Sequence, residues 1–145
     1  MSDENFSFKV VPTDPLVPLT LSVWINDQCC LEPTEVRQEL NFSKSIEDED
    51  ECEYTVRIVM SGKTSEHTKI DEQGNIVKDA LLEFKNFELM GIDINTLLFK
   101  QGKYRHNHNG HSEEVVQDFA MSMGCNGTVE FKFTTPIYIW LLEHL

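Results

Sequence analysis

Three groups of residues in this chain have the types and spacing for chemistry. The first is histidine-based, in the stretch Tyr104-Arg105-His106-Asn107-His108-Asn109-Gly110-His111. On a strand His106 and His108 point the same way, and Asn109-Gly110 is a strong hairpin signal that can return His111 toward them. Three imidazoles suffice to hold zinc with a fourth position open. No carboxylate is clearly placed to orient the rings, so exposed hairpin histidines are the plainer reading. The second group is oxygen-based: Asp71, Asn75, Asp79, Asp93 and Asn95. Calcium takes about six to eight oxygen ligands from loops of this kind. The spacing lacks the acidic ladder of an EF-hand, and turn-forming residues need no metal. The third group is aromatic. Trp24 falls on the polar face of an alternating stretch, and Tyr138 and Trp140 lie in an apolar tail. Exposed, such rings stack on a sugar or anchor a partner; for Trp24 the alternative is a loop that covers it.

Against catalysis stand several missing patterns. There is no G-x-S-x-G elbow, no H-E-x-x-H helix and no glycine loop to cradle phosphate. Carboxylates are so common that pairing any two as acid and base proves nothing. The chain therefore reads as a non-enzyme with no cofactor, calcium being the one ion its loops suit. Cys29, Cys30, Cys52 and Cys125 show no CxxC spacing and no zinc-finger interval to histidine, which predicts free thiols made in a reducing cytoplasm.

The elements that must position these residues are strands. With 145 residues the expectation is one domain, 1–145, large enough to bury a core without staples. The formal charge is −13, and the acidity is lopsided: up to Glu53 there are 13 acidic and 3 basic residues. Such a surface disfavours direct contact with nucleic acid or an anionic membrane. The opening MSDENFSFKV is not the pattern of a signal peptide, and no apolar run is long enough for a membrane helix.

The organising stretch is Ile76 to Ile94. Leu82 and Phe84 alternate in step, Phe87 and Leu89 alternate in step, and the two pairs are offset by one residue at Lys85-Asn86. That pattern predicts a core strand with a bulge, or two short strands meeting at a bend. Around it, alternation predicts strands over Phe6–Val11, Leu19–Asn26, Val36–Phe42, Tyr54–Met60 and Val129–Phe133, with Asn26-Asp27 and Gly74-Asn75 as turns. Asp93, Asn95 and Thr96 start a turn or short helix. Glu47-Asp48-Glu49-Asp50-Glu51, with Glu53, reads as a solvated loop. In the tail IYIWLLEHL, Thr135-Pro136 looks like an N-cap followed by proline, which favours a short helix with Ile137, Trp140, Leu141 and His144 on one face; as a strand, Ile137, Ile139 and Leu141 would share one, and so apolar a tail must be covered by its own core or by another subunit. The expected fold is an all-β antiparallel sandwich, jelly-roll-like, of about eight strands with a short C-terminal helix.

Two segments carry a resemblance. Met60 to Ile94 shows GKT-x-x-HT-x-I-D-x-x-G-N-I, then a D-A-L-L strand ending in G-I-D-I; from Met123 the chain shows M-G-C-N-G-T and a closing P-x-Y-x-W-L-L-E. These resemble a group of small proteins from tailed phages of marine cyanobacteria that has no assigned activity. The resemblance implies a virion location and other virion proteins as partners, in several copies. More distantly, Leu19 to Ile94 is similar to small calcium-dependent carbohydrate-binding modules, which are β-sandwich jelly rolls. That likeness implies calcium near Asp79 and host glycan as ligand, although Ala80-Leu81 stands where an Arg-Asn pair often follows the aspartate. The resulting expectation is a structural component of a tailed phage particle: tail, baseplate, fibre or capsid decoration. The alternatives are a glycan-binding module and an acidic anti-defence protein that mimics nucleic acid.

Overall fold

Strand alternation builds two facing layers. The computed structural model describes residues 5–48, 51–64, 68–70, 72–74, 76–107, 110 and 113–144. In the first layer β1 (Asn5–Pro12) buries Phe6, Phe8 and Val10 and lies between β4 (Leu40–Ser45) and β8 (Leu82–Leu89), antiparallel to both. β12 (Ser122–Met123) and β9 (Ile92–Asp93) also pair with β8. The second layer has the order β11 (Val115–Asp118), β10 (Lys103–His106), β13 (Gly127–Thr134), β5 (Glu53–Ser61), β2 (Thr20–Ile25), β3 (Gln28–Glu35), with every pairing antiparallel. A separate hairpin joins β6 (Thr68–Ile70) to β7 (Ile76–Asp79). Two short helices, α1 (Asn95–Gln101) and α2 (Ile137–His144), complete the fold. It is the all-β sandwich with a C-terminal helix that the alternation predicts.

The bulge in β8 lies where the offset in alternation put it. Ser7 pairs with Glu88 and Lys9 with Lys85, so Phe8 faces two residues of β8, Asn86 and Phe87. Asn86 takes up the extra residue in the left-handed region, φ 58°. This resets the pleat, and Leu82, Phe84, Phe87 and Leu89 all reach the core. The stretch from Ile76 to Ile94 is nevertheless three strands rather than one. Asp79 ends β7 before the bulged strand begins, and the Met90-Gly91 turn, φ 56° and 72°, closes a tight hairpin into β9. The turn at Asn26-Asp27 has the same left-handed pair, φ 50° and 65°, the geometry that matches strand twist.

The aromatic core locks the layers together. The Phe6 ring lies 6.0 Å from Phe8, 6.4 Å from Phe42, 6.1 Å from Phe87 and 6.4 Å from Phe133 of the opposite sheet. All five side chains belong to one continuous cluster.

Two local expectations are corrected. The strand expected over Val36–Phe42 begins only at Leu40; Val36 is buried instead by a backbone hydrogen bond to the Leu19 carbonyl, with a bend after it. Thr135 does not cap α2. Its hydroxyl accepts from the Cys52 N–H at 3.1 Å, while the Asp48 carboxylate accepts from the Ile137 N–H at 2.8 Å. A carboxylate from the acidic run thus serves the helix N-terminus, where the dipole favours it.

Truncating the ring shared by both sheets should be expensive. Phe6→Ala is expected to lower the unfolding free energy by about 3–5 kcal/mol, read as a shift in the urea midpoint. A loss below about 1 kcal/mol would mean the sheets are not held through this ring.

Candidate functional site

At one open side of the sandwich, β10 and β11 face β8 and β12 across a cleft of about 320 Å³, lined by Leu81, Tyr104, His106, Gln117, Ser122 and Cys125 among others. Alternation on β10 turns Tyr104 and His106 inward and Lys103 and Arg105 outward. Gly127 of β13 pairs with His106, and a Cβ there would strike the Arg105 carbonyl and the His106 side chain, so only glycine lets β13 pass this close. The His106 ring stands 4.6 Å from that of Tyr104, and its Nε2 lies 2.9 Å from Gln117 Oε1. The Tyr104 hydroxyl donates to the Cys125 carbonyl and accepts from the Cys125 N–H, fixing the 124–126 loop.

Beneath this loop lies a lysine just past the end of β5. The Lys63 side chain is 1% exposed, and its ammonium donates to Asp79 Oδ1 and to the Gly124 carbonyl, both at 2.5 Å. Asn126 clamps the Lys63 backbone on both sides: its Oδ1 accepts from the Lys63 N–H at 2.9 Å, and its Nδ2 donates to the Lys63 carbonyl at 2.8 Å. A buried ammonium demands such satisfaction, because stripping its water costs several kcal/mol. Burial pushes the Cys125 thiol above its ordinary value; the nearby Lys63 charge pulls it down and Asp79 pushes it up. Burial likewise raises the Tyr104 hydroxyl well above its ordinary value, opposed by its hydrogen bond from the Cys125 backbone. A thiol held protonated is a poor nucleophile.

The cation candidates are placed as follows. Asp79 is engaged by Lys63, and its Oδ1 also accepts from the Ala80 N–H at 3.0 Å. Asp93 is exposed on β9, and its Oδ1 accepts from the Asn95 N–H at 2.8 Å as a turn residue. Asn95 in turn accepts from the Phe87 N–H. Asp71, His108 and His111 lie outside the described residues. His106, read as an exposed hairpin histidine or a metal ligand, is buried and turned toward Gln117. Among the described residues no three His, Cys, Asp or Glu side chains group in a way that could hold a metal ion.

The aromatic candidates separate sharply. Trp24 is half-buried on the outer face of its sheet, its indole N–H donating to the Ser22 hydroxyl at 3.2 Å. Arg57 pairs with it across the strands and binds Glu130 at 3.2 Å and Asp27 at 3.0 Å. Trp140, weighed as a partner contact, is packed inside the chain. It is 5% exposed and meets Phe131 and Phe133 edge-on at 5.8 and 6.1 Å. Tyr138, by contrast, is 57% exposed.

A second cleft, of about 360 Å³, opens on the opposite side of the sandwich, with Asn26, Cys30, Lys44, Glu47 and Tyr54 in its wall. The Tyr54 ring stacks on Phe133 at 5.3 Å and its hydroxyl donates to the Glu47 carbonyl. Tyr54 thus faces inward while Trp24 faces outward. All four cysteines are free. Among the described residues no helix is long and apolar enough to cross a membrane.

No protein-family model, curated protein or solved structure matches the chain.

Two measurements probe the Lys63 site. Asp79→Ala leaves the ammonium buried beside a single carbonyl and should cost about 3 kcal/mol; adding Lys63→Met should recover most of that loss. A double mutant no more stable than Asp79→Ala would show that the charge pair is not what the fold needs there. The thiol also sets a pH trend. A group whose folded-state value is raised binds its proton more tightly when folded, so its contribution is complete below the unfolded value and fades above it. With Cys125 raised above 9.0 and Tyr104 above 10.0, the midpoint of urea unfolding should fall as pH rises past 9. The Cys125→Ser variant should show a shallower fall, and an unchanged slope would remove Cys125 as its cause.

Proposed function

We propose that this chain is a non-enzymatic structural component of a tailed phage particle that works by docking on other virion proteins. The observation that carries the reading is the outward face of α2. Tyr138 at 57%, Ile139 at 41% and Leu142 at 77% exposure fall within one arc of the helix, opposite the buried Ile137, Trp140 and Leu141. A helix with apolar side chains on two opposite faces belongs in a covered position. Contiguous exposed apolar surface of this sort marks contact with another protein more often than it marks a bare surface. The likeness of Met60–Ile94 and of the segment from Met123 to tailed-phage proteins supplies the particle.

The chemistry of the two clefts fits this role. Several of their polar groups are engaged within the chain: Tyr104 with the Cys125 backbone, His106 with Gln117, Tyr54 with Glu47. Glycan binding has less support, because the outward Trp24 shares no face with the inward Tyr54 and Tyr104.

Mass spectrometry of gradient-purified particles tests the proposal. The chain is expected at a fixed ratio to the major virion proteins through successive gradients. Its presence in infected cells but absence from particles would remove the virion role.

A further inference from the structure

The chemistry of the α2 surface narrows its partner, an inference that rests on the docking role just described. Asp48 and Glu51 are fastened to the amino end of α2: Asp48 Oδ1 accepts from the Ile137 N–H at 2.8 Å, and the Glu51 N–H donates to the Thr135 carbonyl at 3.1 Å. Glu47, Glu51 and Glu53 are exposed there, and Glu143 is exposed on the helix itself, one turn beyond Ile139. Neither the 47–53 segment nor α2 contains a lysine or an arginine. Three of the seven large apolar side chains left exposed among the described residues sit on this one helix. Exposed carboxylates therefore gather at the amino end of α2, with Lys44 beside Glu47, and Glu143 adds one on the helix itself.

We infer that Tyr138, Ile139 and Leu142, with the surrounding carboxylates, form a docking surface for a basic amphipathic segment of another protein: apolar side chains to cover the patch, lysines or arginines to meet the rim. Apolar contact supplies the affinity and the flanking charges supply orientation and association rate. A second copy of this chain fits poorly. A two-fold contact would set each acidic rim against its own image, in a chain of net charge −13. An anionic lipid surface is repelled for the same reason.

The test uses the full chain and a short fluorescein-labelled amphipathic helical peptide of leucine and lysine, followed by fluorescence anisotropy. A leucine/glutamate peptide and a serine/lysine peptide serve as comparisons. The leucine/lysine peptide should bind, weaken as salt rises, and lose about tenfold in affinity for a Tyr138→Ser/Leu142→Ser chain with unchanged Tm. It should also lose about tenfold for a Glu47→Gln/Glu51→Gln/Glu143→Gln chain. Equal binding of the serine/lysine peptide, or undiminished binding to the Tyr138→Ser/Leu142→Ser chain, would overturn the apolar half of the inference; equal binding of the leucine/glutamate peptide would overturn the charged half. A concentration-dependent dimer in sedimentation velocity that Leu142→Ser abolishes would assign the surface to a second copy instead. The two readings fail separately. Absence of the chain from particles removes the virion role and leaves the peptide result standing, whereas normal incorporation of the Tyr138→Ser/Leu142→Ser chain into particles removes this surface and leaves the virion role.

Discussion

The fold depends on one residue too many in β8. A strand has a strict period of two, so without the extra residue at Asn86, Phe87 and Leu89 would point away from the face that Leu82 and Phe84 occupy. Phe87 lies 5.0 Å from Phe8, 6.1 Å from Phe84 and 5.9 Å from Phe119. Losing it from the interior would strip the ring that Phe8, Phe84 and Phe119 share. Asn86 is a suitable residue for the work. It tolerates the left-handed region better than most non-glycine residues, and its side chain is left to solvent. The bulge also aims β8 onward into the Met90-Gly91 turn and α1, which brings Leu97 and Leu98 against the core.

The Lys63 site serves the same end at the rim of the sandwich. The two sheets separate between β12 and β10, where among the described residues no ladder joins them. There the gap is spanned by polar contacts among groups far apart in sequence. Lys63 follows β5, Asp79 ends β7, and Gly124, Cys125 and Asn126 join β12 to β13. Because the ammonium is almost wholly buried, its alternatives are poor: it either holds Asp79 and the Gly124 carbonyl together or sits unpaired in a dry place. That asymmetry gives the contact its value as a register device. The pair adds little beyond a well-packed apolar substitute, yet it penalises any arrangement in which the 124–126 loop drifts from the end of β7. Every group in this cluster that points toward reactivity is tied down by the arrangement: the thiol is held protonated, the phenol is engaged twice by backbone, and His106 faces Gln117.

How much of this was legible in the sequence follows from the range of the interactions. Strands, the bulge, the Asn26-Asp27 turn and the C-terminal helix rest on local periodicity and turn chemistry, and those signals are written within a dozen residues. Where a side chain's surroundings are set by residues distant in sequence, local spacing says little. Trp140 was weighed as a contact for another protein, but Phe131 and Phe133 cover it. His106 was grouped with neighbours in sequence, but Gln117 and Tyr104 define its surroundings. The cap on α2 comes from Asp48, a residue that reads as one more charge in a solvated run. Lys63 carried no signal of burial. A lysine after Ser61-Gly62 reads as a solvated strand end, and only the three-dimensional placement of Asp79 and Gly124 explains its burial.

The acidic run and the apolar tail looked like independent features of the chain, one promoting solubility and the other demanding cover. Asp48 makes them one feature. By accepting the first free N–H of α2, it fixes the position of a strongly charged loop relative to an apolar helix face. A charge rim of fixed geometry does what a mobile acidic tail cannot: it penalises apolar surfaces that lack basic flanks while leaving the central patch open. Exposed leucine and isoleucine invite indiscriminate association, which is a hazard for any chain that must wait for assembly. Like-charged rims keep free copies apart through mutual repulsion, in a way that weakens with salt. On the proposed docking role, the carboxylate that caps the helix would also set where the charge beside it lies, so that local folding and partner choice would share a single side chain.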